Sequence, residues 1–233
     1  MPRAIPESRL QDLLETATRV FIEQGYRGTQ IADVATALGV AKGTVYLYVE
    51  SKQALFYAAL RYAGRKAPLA SEIDLPLRGD DAEALLAELR AALADEAIPP
   101  ALARALSRTR VADARAELEN IVRELYSVSY RHRAVIKLVD RCGRDHPELA
   151  RIFYGEGRFA QLDALASYLG ARIRAGRFPA VPDVAVAARF IIETIAIWAV
   201  HIHWDPAPQP IAPDAAEETV VQLVVRALTG APQ

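Results

Sequence analysis

Apolar residues recur at helical spacing along the N-terminal part of the chain. Leu10, Leu13, Leu14, Ala17, Val20 and Phe21 mark one face of a helix predicted over 7–24, with Pro6 ahead of it and Gly25 behind it. Ile31, Val34, Ala35 and Leu38 fall at i, i+3, i+4 and i+7 and predict a second helix, with Thr29 as its N-cap and Gly39 as its stop. A short third helix over roughly 42–48 turns Val45 and Val49 one way and polar or aromatic residues the other. Ser51 then caps a fourth helix over 52–66, with Leu55, Ala58, Ala59 and Tyr62 inward and Pro68 as its end. Helix, tight turn and short helix make a helix-turn-helix on a small three-helix core.

Residues 67–80, APLASEIDLPLRGD, are a Pro- and Gly-bearing connector and mark the expected domain boundary. Beyond it there is no sustained alternation and no hairpin turn, while Ala, Leu, Arg and Glu are abundant. Helices are predicted at 81–96, 100–107, 111–127, 130–142, 147–154, 157–175, 183–203 and 214–228. The class is therefore all-α: a helix-turn-helix domain at 1–50, a linking helix at 51–66, and a helical domain at 67–233. In 183–203 the residues Val184, Ala188, Ile191, Ile195, Trp198 and Ile202 alternate by four and three, the seam of helix-on-helix packing. Phe190, Ile192, Ile197 and Val200 make the other faces apolar too. The last helix, with Val220, Val221, Leu223, Val224, Val225 and Leu228, has the same character. A helix apolar all round needs cover on both sides, and a second copy of the chain is the natural cover. The seam residues together with Val220, Val221, Val224 and Leu228 are the expected dimer interface.

Charge refines this division. The whole chain is nearly balanced, with 28 basic and 29 acidic residues, but residues 1–66 carry nine basic against six acidic ones. A mildly basic head on an acidic body suits a protein that presents one end to a polyanion. Cys142 is the single cysteine, which excludes an intrachain disulfide and points to a reducing, cytoplasmic compartment. The start, MPRAIPESRL, lacks the apolar core of a signal peptide. The apolar stretch 184–202 contains Arg189, Glu193 and Thr194, so it is expected to be a buried helix and not a membrane span.

The helix-turn-helix carries the most specific chemistry. Thr29 and Gln30, at the start of their helix, are placed to offer a hydroxyl, an amide and backbone N–H groups to a phosphate. Lys42 and Lys52 flank the short helix as cations for phosphates on either side of a groove. Gly43 permits close backbone approach, and Thr44 offers a hydroxyl or a methyl to a base edge. Tyr46 and Tyr48 can bond phosphates, and Leu47 can meet an apolar base edge. The stretches FIEQGYRGTQIADVA and GVAKGTVYLYVESKQAL resemble the TetR family of bacterial transcriptional regulators over about residues 8–60. Ala41 and Val49 depart from its commonest pattern, where Ser and Phe are frequent. The resemblance implies DNA contacts at Lys42, Thr44, Tyr46, Tyr48 and Lys52, and dimerisation through the two C-terminal helices.

Enzymatic patterns are thin. Cys142 and His146 have the spacing of a metal pair, but Gly143 and Pro147 interrupt the helix that would align them. His201 and His203 point apart on a helix. No metal, cofactor or catalytic residue is expected. An apolar or aromatic small-molecule site is expected in the body, with Tyr126, Tyr130, Arg133, Phe153, Phe159, Phe190, Glu193 and Trp198 as its candidate lining. The reading is a homodimeric repressor that releases a palindromic double-stranded DNA operator when a small effector binds. The alternative is a helical ligand-binding protein or enzyme with a vestigial DNA-binding head.

Overall fold

The computed structural model describes residues 7–64, 74–79, 82–108 and 111–230. Among these the chain is helical: α1 (Glu7–Gly28), α2 (Ile31–Leu38), α3 (Lys42–Val45), α4 (Lys52–Ala63), α5 (Ala82–Glu96), α6 (Pro100–Ser107) and α7 (Ala114–Arg131) come first. Then follow α8 (Arg133–Cys142), α9 (Pro147–Ala150), a π-helical segment (Arg151–Arg158), α10 (Phe159–Arg174), α11 (Val184–Ala199), a 3₁₀ turn (His201–Trp204) and α12 (Pro213–Thr229). The described residues hold no strand, only an isolated parallel bridge between Val49 and Leu77. Pro6, the 65–66 end of the fourth helix, Pro68 and much of the connector lie outside the described residues.

Two compact units emerge. The first joins 1–89 with 134–152, and the second joins 90–133 with 153–233. The first unit is therefore wider than the expected head, because the 134–152 segment packs into it.

In the first unit every residue of the α1 stripe is buried, and α1 packs against α4 and α2. The regular helix breaks at Gly25, whose φ of 76° favours glycine. The Thr29 hydroxyl donates to the Gly25 carbonyl at 2.8 Å and closes that end. Thr29 is thus not the N-cap of α2. Gln30 holds that position, its backbone N–H donating to the Asp33 carboxylate at 2.7 Å. Gly39, at φ 74°, ends α2 in the left-handed conformation. The Ser51 hydroxyl accepts from the Ala54 N–H at 3.0 Å and caps α4 as expected.

The second unit is built around α7, which packs against α6, α11 and α12, while α10 packs against α6 and α11. Arg172 of α10 is buried and ties three helices together. Its Nε donates to Glu117 of α7 at 2.7 Å and its Nη2 to the Ala105 carbonyl of α6 at 2.7 Å. The same guanidinium lies over the Tyr168 ring, 5.0 Å from its centroid.

The expected dimer seam needs correction. Ala188, Ile191, Ile195, Val220, Val221 and Val224 are buried within the protomer, and Val184, Trp198, Ile202 and Leu228 are half-buried. The six buried residues serve the unit's own core, where α7 and α10 pack on α11 and α7 packs on α12. The exposed apolar side chains sit elsewhere on these helices: Val186, Phe190 and Ile197 on α11 and Leu223 on α12. The stretch Val184–Trp204 is long and apolar enough to cross a membrane by composition. Its inner residues are nevertheless core residues, and its Arg189 and Glu193 are paired to each other.

Candidate nucleic-acid interface

The short helix α3 is a single turn, and its N-cap, Ala41, has no side chain to accept a hydrogen bond. Its placement comes from burial. Val45, Tyr48 and Val49 turn inward, and the chain continues past Val45 through Tyr48 N–H to Val45 O at 3.0 Å and Val49 N–H to Val45 O at 3.1 Å. With those residues in the core, geometry sends Lys42, Gly43, Tyr46 and Leu47 to the surface, with Leu47 59% exposed. Thr44 is half-buried at the edge of the same face.

An added Cβ at Gly43 would meet nothing within 4 Å, so packing inside the protein gives no reason for a glycine there. An exposed leucine, an exposed tyrosine, a lysine and a bare stretch of backbone share one turn. That surface suits an external partner with phosphates and apolar base edges. Behind it a crevice of about 270 Å³ is lined by Arg9, Asp12, Leu13, Leu38, Val40, Thr44, Val45 and Tyr48. Arg9 of α1 and Thr44 thus line one crevice, a relation that periodicity alone does not reveal.

A family model described as bacterial regulatory proteins, tetR family, matches residues 13–59, which span this whole helix-turn-helix. Residues 13–59 form a helix-turn-helix of the tetR-family type. The head is 46% identical over 44 residues to the HTH-type transcriptional repressor DhaR of Mycobacterium sp. strain GP1, covering 19% of this chain and 22% of that protein. It is 32% identical over 56 residues to the HTH-type transcriptional repressor KstR2 of Mycolicibacterium smegmatis, covering 24% and 27%. The chain spans about a quarter of the length of these curated relatives. The fold likeness reaches further. The structure of the ketosteroid transcriptional regulator KstR2 of Mycobacterium tuberculosis aligns with 99% of this chain and 100% of its own, at a TM-score of 0.59 and 18% identity.

Two of the expected DNA contacts are buried in this head, and a third is partly engaged by the protein. Thr29 is fully buried, its hydroxyl committed to the end of α1. Tyr48 is 5% exposed and belongs to the core. The Lys52 ammonium donates to the carbonyls of Tyr26 and Thr29, both at 3.0 Å, and sits 4.5 Å from the Tyr26 ring centroid. Gln30 is exposed and forms a capping box with Asp33, its backbone N–H donating to the Asp33 carboxylate. Lys42, Gly43, Tyr46 and Leu47 are exposed, and Thr44 is half-buried.

A second feature of the head is not visible in the periodicity. The turn 141–146 docks on the end of α1. Arg141 donates to the carbonyls of Ile22 at 2.9 Å and Glu23 at 3.1 Å, and Arg27 pairs with Asp145 at 2.6 Å. The Cys142 thiol contacts the Phe21 carbonyl at 3.7 Å, and burial pushes its pKa up to about 11. His146 stacks on Phe56 at 4.5 Å and meets Tyr26 edge-on at 4.4 Å. Cys142 and His146 are packing residues, and no cluster of metal ligands occurs among the described residues. The signal for this docking was the apolar face of α8, which the sequence reading assigned to the body.

In the second unit the candidate effector residues divide. The Tyr126 hydroxyl donates to the Trp198 carbonyl at 3.3 Å, and burial raises its pKa to about 12. Arg133 stacks 4.3 Å over the Tyr130 ring, which also meets His203 edge-on at 5.3 Å. Burial, then the Arg133 charge, lowers the pKa of His203. Phe153 meets Tyr154 edge-on. Phe159 and Phe190 are exposed, and Glu193 is paired with Arg158 and Arg189. Glu193, paired to its two arginines, is half-buried, whereas both phenylalanines are more than half exposed.

Proposed function

We propose that the chain is a DNA-binding transcriptional regulator acting as a ligand-responsive repressor. The observation that carries this reading is the exposed turn of α3, where Lys42, Gly43, Tyr46 and Leu47 have no role inside the protein. Two copies would present two such turns to successive major grooves of a palindromic operator, about 34–36 Å apart or a multiple of it. The exposed apolar row on α11 with Leu223 of α12 is the surface we assign to the second copy. An apolar or aromatic effector would bind in the second unit beside Tyr126, Tyr130, Arg133 and Trp198. It acts by favouring a conformation whose heads no longer match the operator, a coupling of roughly 1–3 kcal/mol.

The test is equilibrium binding to a duplex enriched from random DNA by the wild-type protein, beside a shuffled duplex of the same composition. Lys42→Ala weakens both and lowers the salt slope by about 0.9, one phosphate contact. Thr44→Ala narrows the gap between the two duplexes. A wild-type protein that enriches no duplex contradicts the reading and returns the chain to the ligand-binding alternative.

A further inference from the structure

The residues that follow α4 return to the head. Within 74–79, Leu77 N–H donates to the Tyr48 carbonyl at 2.7 Å, and Glu50 N–H donates to the Leu77 carbonyl at 3.1 Å. Gly79 N–H then donates to the Glu50 carboxylate at 3.0 Å. The parallel bridge between Val49 and Leu77 is the centre of this strap. An added Cβ on Gly79 would lie 3.2 Å from the Ala54 nitrogen and 3.3 Å from the Ser51 hydroxyl, so the strap presses onto the cap of α4. It spans the junction at which the recognition segment ends and α4 begins.

That junction needs outside support. One turn of helix is far below the length at which a helix persists by itself, and Ala41 gives α3 no side-chain cap. Burial of Val45, Tyr48 and Val49 fixes which side faces inward. It does not fix the rotation and height of the exit, where only backbone groups remain to be held. The strap bonds to those groups at Tyr48 and Glu50, one to six residues beyond Thr44, Tyr46 and Leu47.

We propose that the strap at 74–79, latched by the Glu50 carboxylate on Gly79, is a positioning element that sets how the recognition turn meets base edges. The inference rests on the DNA-binding reading above. The strap residues touch no base themselves. They hold the exit of the turn, so their loss alters the choice among sequences before it alters phosphate affinity.

Three variants of the full chain test this: Glu50→Ala, which removes the latch; Glu50→Gln, which keeps an acceptor oxygen without the charge; and Gly79→Val, which forces the strap away from α4. Each is measured on the duplex enriched by the wild-type protein and on its shuffled counterpart, with a thermal melt alongside. Glu50→Ala and Gly79→Val should lose about tenfold on the enriched duplex and stay within about twofold on the shuffled one, one base pair's worth of discrimination. Glu50→Gln should bind as the wild type does.

Tighter binding by both Glu50 variants on both duplexes would make Glu50 a repelling charge and overturn the proposal. So would unchanged preference in Glu50→Ala, or equal weakening on both duplexes. If Gly79→Val does not fold, the two Glu50 variants decide alone. A wild-type protein that enriches nothing fails the DNA reading itself and takes this inference with it, whereas enrichment with unchanged variants fails the strap alone.

Discussion

Lys52 and Tyr26 meet twice: the lysine ammonium donates to the tyrosine carbonyl at 3.0 Å and lies 4.5 Å from the centroid of its ring. A third contact, to the Thr29 carbonyl at 3.0 Å, makes this lysine the closure of the turn that follows α1. The cation assigned to a DNA phosphate therefore spends two of its three donors on the protein. Lys52→Met keeps the apolar stem and removes the three donors. It should lower the stability of the first unit by about 1–2 kcal/mol, read as a shift of the urea midpoint. An unchanged midpoint with weaker DNA binding would return Lys52 to the phosphate role.

Gly43 should separate stability from function. An alanine there fits without contact and improves helix propensity by up to about 1 kcal/mol. Gly43→Ala should thus melt no lower than the wild type and still bind the enriched duplex more weakly, because the added methyl blocks backbone approach. Equal DNA affinity would mean that nothing approaches this turn closely.

His146 makes the first unit acid-sensitive. Burial lowers its pKa from the ordinary 6.5, and Lys52 opposes its charging. Asp145 acts the other way, but its carboxylate is paired with Arg27, and the packed neighbours Tyr26, Phe56 and Tyr57 offer no charge. The folded state thus binds fewer protons than the unfolded state just below pH 6.5. Stability from this group is complete above that pH, falls as the pH drops below it, and levels off beneath the depressed folded value. Denaturant titrations at a series of pH values should show the decline in the wild type and a shallower one in His146→Phe, which keeps the stacking on Phe56. Parallel profiles would show that His146 contributes nothing to the decline.

Arg172 and Glu117 are a buried pair, with side chains 6% and 14% exposed. Glu117→Ala strands the guanidinium and should cost about 3–5 kcal/mol of unfolding free energy, while Glu117→Leu with Arg172→Met recovers most of it. Guanidinium unfolding curves measure both. A single variant as stable as the double would contradict the stranded-charge account.

Phe190, 57% exposed on α11, tests the dimer. Phe190→Asp together with Ile197→Asp should convert a dimer to a monomer in light scattering at micromolar concentration, with helicity retained. A wild-type monomer, or a variant that remains dimeric, would reject the exposed row as the interface.

The sequence alone determined what local physics controls. Helical periodicity, glycine stops at Gly25 and Gly39, and the Ser51 cap gave an all-α chain and the register of the helix-turn-helix. The motif placed the short reading helix at roughly 42–48, of which Lys42–Val45 is regular helix. Tertiary structure decided which residues of the motif are free. Thr29, Tyr48 and Lys52 look like DNA contacts in sequence, yet folding brings carbonyls and core to them from distant positions. The same holds for α11, whose heptad pattern marks an apolar seam but not the body that fills it. α7 and α10 took that seam, and the weaker row of Val186, Phe190 and Ile197 was left to solvent. Periodicity says that a face is apolar; only long-range packing chooses what covers it.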